Sequence, residues 1–137
     1  MNVLIDTCVI IDAVQHRQPF SILAEPILLG AAEHQFEGFW TAKSMLDCYY
    51  LVHHDTHSDA QTRGVLMNIA LSLRGLDTTA TDCQQALFSD MRDYEDAVMT
   101  ATARRTGMDF IVTRNLKDYE RSQVPAVSPA DFLARLK

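Results

Sequence analysis

Two uninterrupted apolar runs, Val3-Leu4-Ile5 near the start and Phe110-Ile111-Val112 near the end, close on the polar residues Asp6 and Thr113. Alternation would mark a strand with one wet face, whereas an unbroken run marks one covered on both sides, as in the centre of a parallel sheet. Between the two runs, apolar residues recur at helical spacing. Cys8 to Gln15 reads as a short helix and Arg17 to Pro19 as a loop. Ser21 to Gln35 reads as a second helix with Ile22, Ile27, Leu28 and Ala31 on its apolar face and Pro26 kinking or delaying it. Phe36 to Trp40 is strand-like, and Thr41 to Thr56 reads as a helix in which Met45, Tyr49 and Val52 share a face.

Farther on, Ser58 or Asp59 caps a helix carrying Val65, Leu66, Ile69 and Leu73, which ends near Arg74-Gly75 and leads to a short strand at Leu76 to Thr78. Thr81 to Ser89 reads as a helix, and Asp93 starts another that stops at Gly107. Pro125 to Val127 reads as a short edge strand. Ser128-Pro129, a capping serine before a proline at the first helical position, opens a last helix docked by Phe132, Leu133 and Leu136. Strands alternating with helices predict an α/β fold in three layers, α/β/α, with a central, mostly parallel sheet of four or five strands. At 137 residues, the expectation is a single domain over 1–137 with no internal repeat.

No apolar stretch approaches the ~20 residues that span a bilayer, and the first residues lack the basic flank and cleavage site of a signal peptide, so a cytoplasmic location is expected. Cys8, Cys48 and Cys83 are odd in number and widely spaced, which predicts reduced, mostly buried thiols. The net charge of −6 argues against tight non-specific binding to nucleic acid. Bound divalent cations would offset part of an acidic site, and Arg92, Arg104, Arg105, Arg114, Lys117 and Arg121 fall in one stretch.

In an open α/β sheet, ligands gather at the carboxyl ends of the strands. Asp6 ends the first strand, Asp47 is expected in the first turn after the second, Asn115 and Asp118 follow Thr113, and Asp93 and Asp96 open a helix beside them. Several carboxylates in one pocket repel each other and call for a cation. Magnesium suits such a set, because it prefers oxygen and is held by one or two carboxylates plus a substrate phosphate. Phosphodiester hydrolysis is the reaction this arrangement favours. Plainer roles compete: Asp6 and Asp93 as helix caps, and Asp47 as a partner of the helix dipole. Asp12 and Glu95 read as solvated or supporting groups. His53, His54 and His57 have helical spacing but read better as C-terminal dipole partners than as zinc ligands. Trp40, Tyr49, Tyr50 and Tyr94 read mostly as core.

The stretch Leu4-Ile5-Asp6-Thr7-Cys8-Val9-Ile10-Ile11-Asp12 resembles the opening strand and turn of PIN domains. Asp93-Tyr94-Glu95-Asp96-Ala97 and Ile111-Val112-Thr113-Arg114-Asn115-Leu116-Lys117-Asp118-Tyr119 resemble that family's other two signatures, and the chain closes on an apolar-Ser-Pro-x-x-Phe-Leu end. The pattern is similar to the single-domain ribonuclease toxins of bacterial type II toxin-antitoxin pairs, of the virulence-associated protein C type. The resemblance implies a PIN-like fold and an endoribonuclease dependent on Mg2+ or Mn2+. Asp6, Asp96, Asp47 and Asn115 would hold the metal, and Asp6, Asp47, Asp96 and Asp118 would form the catalytic set. The fourth ligand falls at Asn115 or Asp118, and Asp47 stands where the family usually has glutamate. Thr7, Thr113, Arg114 and Lys117 would meet the RNA. A small antitoxin and homodimerisation are further implications. A degenerate PIN domain that binds RNA or protein without cutting is the alternative, favoured by Asp47 and Asn115.

Overall fold

The computed structural model describes residues 1–137. Five strands, β1 (Asn2–Ile5), β2 (Glu37–Thr41), β3 (Arg74–Leu76), β4 (Phe110–Val112) and β5 (Ala126–Val127), form one sheet in the order β3-β2-β1-β4-β5, with every pair parallel. The unbroken run Val3-Leu4-Ile5 is completely buried at the sheet's centre, as its lack of alternation predicts. Seven helices cover the sheet: α1 (Thr7–Val14), α2 (Ser21–Ala32), α3 (Ala42–Thr56), α4 (Asp59–Ser72), α5 (Ala80–Ala86), α6 (Tyr94–Arg105) and α7 (Pro129–Arg135). A 3-10 turn spans Leu116–Tyr119.

The two faces are covered unequally. Val3, Ile5, Trp40 and Val112 point into the larger core with residues of α1, α2, α3, α4 and α7. Leu4, Phe39 and Ile111 point the other way, onto Met99 and Ala103 of α6 and onto Tyr119. Period-two alternation along each strand thus feeds two separate cores.

Helix starts follow the capping residues. Side chains of Asp6, Thr41, Ser58, Thr79, Asp93 and Ser128 each accept a backbone N–H at the head of a helix. Three segments differ from the sequence expectation. β3 occupies Arg74–Leu76 rather than Leu76 to Thr78, because Thr79 caps α5 and the Thr78 hydroxyl accepts the Lys43 amide. The close approach of Met45 over Gly75 also suits a residue without a side chain. α2 ends at Ala32, short of Gln35, where His34 turns to positive φ, and it runs on through Pro26. α5 stops at Ala86 rather than Ser89.

The strand order reverses at the centre, with β2 and β3 laid down on one side of β1 and β4 and β5 on the other. Loops leaving β1 and β4 therefore diverge and leave a crevice at the carboxyl end of the sheet, the usual place for a ligand in this architecture.

Candidate functional site

The crevice is a cleft of about 500 Å³ walled by Asp6, Thr7, Asp47, Asp96, Asn115 and Asp118, with Asp93 and Glu95 from the head of α6. Six carboxylates face two cations, Lys43 and Arg17, around this wall. The fold thus gathers acids separated by more than a hundred residues of chain, because each follows a strand end or stands in the first two turns of a helix at the same edge; Asp47, expected in the first turn of α3, lies in its second, one turn on from Lys43.

Asp6 lies deepest. Its Oδ1 accepts the Thr7 amide at 2.8 Å, and its Oδ2 accepts the Thr113 hydroxyl at 2.7 Å and the Cys8 thiol at 3.6 Å. Burial raises its pKa, against those hydrogen bonds and the charge of Lys43. The Cys8 thiol is pushed up to about 12 by burial and by Asp6, so it stays protonated and serves as a donor.

Asp96 sits in the first turn of α6, with its amide held by the capping carboxylate of Asp93 at 2.9 Å. The Tyr119 hydroxyl donates to its Oδ1 at 3.1 Å, and its Oδ2 has no hydrogen-bond partner. Its pKa rises to about 7, through burial first and then through the charges of Asp6, Asp93 and Asp118. Each of those charges disfavours a further negative charge at Asp96.

Lys43, in the first turn of α3, binds Asp47 one turn on and reaches Glu95 of α6 at 3.3 Å. Burial opposes its charge, and the two acids more than offset that, so its pKa rises. Asp47 therefore already has a counter-charge in direct contact, whereas the groups bonded to Asp6 and Asp96 are uncharged donors.

Not every residue expected at the site lines it. Thr113 is fully buried beneath the cleft, where it holds Asp6 and also accepts the Asn115 amide at 3.0 Å. Arg114 turns away from the cleft to pair with Asp12 and to lie 4.0 Å over the Phe20 ring. Lys117 is exposed and also off the cleft wall. Asp12, expected to be solvated or supporting, is only 1% exposed. Tyr50 and Tyr94 are exposed rather than core, and Tyr50 joins the cleft wall. Lys43, Tyr119 and Arg17 were not anticipated there. The i, i+4 spacing of Lys43 and Asp47 was the available signal for the first, and the adjacency of Tyr119 to Asp118 for the second.

Nowhere do three His, Cys, Asp or Glu side chains stand close enough to enclose an ion by themselves, the run at His53, His54 and His57 included. The donor set still fits a hard divalent cation that retains much of its water. It is rich in carboxylate oxygen, Asp6 Oδ1 carries only one donor, and Asp96 Oδ2 carries none.

The sequence matches the family model described as "PIN domain" over residues 2–117. No curated protein matches it significantly in sequence. Among solved structures, DNA-bound VapBC from Salmonella typhimurium is similar at 16% identity with a TM-score of 0.69, over 94% of this chain and 98% of that one. VapBC2 from Rickettsia felis, bound to a DNA fragment from its promoter, is similar at 15% identity with a TM-score of 0.66, over 93% and 98%. VapC20 from Mycobacterium tuberculosis, a Sarcin-Ricin loop cleaving toxin, is similar at 15% identity with a TM-score of 0.62, over 80% and 86%. Identities this low speak to the fold they share.

Proposed function

The chain belongs to the PIN-domain family, and from that premise we propose that it is a metal-dependent endoribonuclease, the toxin of a type II toxin-antitoxin pair. The observation that carries the reading is the convergence of Asp6 and Asp96, with Asp47, Asn115 and Asp118, at the point where the strand order reverses. Asp6 and Asp96 would hold Mg2+ or Mn2+, assisted by Asp47 and by Asn115 or Asp118. Such an ion, when bound, polarises the phosphoryl oxygens, eases deprotonation of the attacking water and steadies the leaving oxygen.

The remaining work falls to the chain itself. The Thr7 amide and the Thr113 hydroxyl hold the Asp6 carboxylate in one orientation, and Tyr119 does the same for Asp96. The Thr7 side chain, on the cleft wall and bonded to the Ser44 hydroxyl at 2.9 Å, would meet a phosphate oxygen or an ordered water. Cleavage would leave a 5′-phosphate and a 3′-hydroxyl. An antitoxin segment that covers the cleft would find apolar purchase on Tyr50 and Leu51, which line its rim and are largely exposed. Homodimerisation belongs to the same reading. No helix is long and apolar enough to cross a membrane.

A second reading, a PIN domain that binds without cutting, draws support from the lack of three ready-placed ligands and from the Lys43–Asp47 pair inside the acidic cleft. The deciding experiment is an RNA cleavage assay with and without chelator, on wild type and Asp6→Asn. Loss of cleavage on chelation and in the variant, with the fold unchanged, supports the nuclease. Equal activity in all arms removes it, and calorimetry showing no site-specific manganese binding favours the scaffold.

A further inference from the structure

Asp12 lies on α1 with its carboxylate 1% exposed, a costly place for a charge unless a partner meets it squarely. Arg114 does so with two nitrogens, Nε to Oδ2 at 2.6 Å and Nη2 to Oδ1 at 3.2 Å, across 102 residues of chain. The guanidinium carbon lies over the Phe20 ring, 4.0 Å from its centroid, in the segment that opens α2. Arg114 is thus fixed in direction as well as in place, which a planar fork can achieve and a lysine ammonium cannot.

Its chain neighbours give that fixation a use. Thr113, immediately before it, holds Asp6 and accepts the Asn115 amide. Asn115 and Asp118, just after it, stand on the cleft wall, and the Asp118 amide donates to the Asn115 carbonyl at 3.0 Å. Arg114 touches none of the cleft, so a role in binding RNA does not suit its placement.

We propose that the Asp12–Arg114 pair, packed on Phe20, is a positioning device that holds the loop carrying Asn115 and Asp118 against the helix that Asp6 caps, so that Asn115 and Asp118 keep their places on the cleft wall beside Asp6. The inference rests on the nuclease reading above. A buried ion pair is a weak source of stability compared with apolar packing and is better at enforcing one geometry.

The test uses the full chain and three readouts: amide hydrogen exchange at Asn115 and Asp118, manganese affinity by calorimetry, and steady-state cleavage. Arg114→Lys keeps the charge and removes both fork and stack. Exchange at the two amides should rise about tenfold, and manganese affinity and kcat should each fall roughly 10–100-fold, with KM nearly unchanged. Phe20→Leu, a change at a 42% exposed side chain, loosens only the stack and should move the same readouts the same way by less. Wild-type exchange and manganese affinity in both variants would overturn the proposal, as would a rise in KM alone, which would make Arg114 a substrate contact. Should Arg114→Lys not fold, Phe20→Leu decides by the same criteria. Lack of cleavage by the wild type would count against the nuclease reading, and the exchange result would still report whether the loop is held.

Discussion

The Thr113 hydroxyl donates to Asp6 Oδ2 at 2.7 Å, a bond between residues 107 apart in the chain that ties the carboxyl ends of β1 and β4 together. Thr113→Val keeps the shape and removes the donor. The variant should lose about 1–3 kcal/mol of stability and bind manganese roughly 10–100-fold more weakly, measured by urea unfolding and calorimetry. Unchanged affinity would mean that the orientation of Asp6 does not depend on this bond.

Asp96 should destabilise the metal-free protein. Its pKa is raised to about 7 by burial and by Asp6, Asp93 and Asp118, whereas an unfolded carboxyl ionises near 3.8. Between those values the folded chain binds the proton more tightly than the unfolded one. Stability therefore falls as pH rises through that window, and the loss is complete above it. In chelator, Asp96→Asn should melt a few degrees above wild type at about pH 8, with the gap closing toward about pH 4. A variant that melts lower at the higher pH would contradict this reading of the crowded cleft.

Asp82 behaves in the opposite sense. Arg105 binds both its oxygens at 2.9 Å, Thr102 donates at 2.8 Å, and the Thr79 amide donates at 3.0 Å as part of the α5 capping box. The Arg105 guanidinium, with the Thr79 and Thr102 donors, holds its carboxyl well below the ordinary range despite burial. Its contribution is whole above about pH 4 and is lost as pH falls below that toward the depressed folded value. Asp82→Ala should cost about 3 kcal/mol at neutral pH and should flatten the acid limb of a stability profile followed by urea midpoints.

Gly38 is a packing requirement of β2. A Cβ there would stand 2.8 Å from Leu73 Cδ2 and 2.9 Å from the Ala31 Cβ, too close for either to remain in place. Gly38→Ala should destabilise by about 1–3 kcal/mol, read as a lower urea midpoint with an unchanged slope. A neutral result would show that α2 and Leu73 can move apart freely.

The fold was legible where short-range chemistry decides it. The buried runs at Val3 and Phe110, the caps at Ser58, Asp93 and Ser128, and the proline after Ser128 are local signals, and each marks the element it suggests. Strand β3 was displaced because Thr78, a good strand former, accepts a bond from the distant Lys43 amide, which no local pattern announces, while Thr79 caps α5 through the local Thr79-x-x-Asp82 pattern. The gathering of Asp6, Asp47, Asp96, Asn115 and Asp118 follows from strand order, so it could be anticipated. The burial of Asp12 could not, because nothing near it announces Arg114, and neither could the exposure of Tyr50 and Tyr94, whose apolar bodies read as core.

Strands β3 and β5, three and two residues long, form the sheet's outer margins. So little unpaired backbone gives an extended peptide almost nothing to zip onto, which guards the chain against edge-to-edge polymerisation. An arriving tail meets clefts and helix faces instead of a template, and its recognition has to be spelled out in side chains.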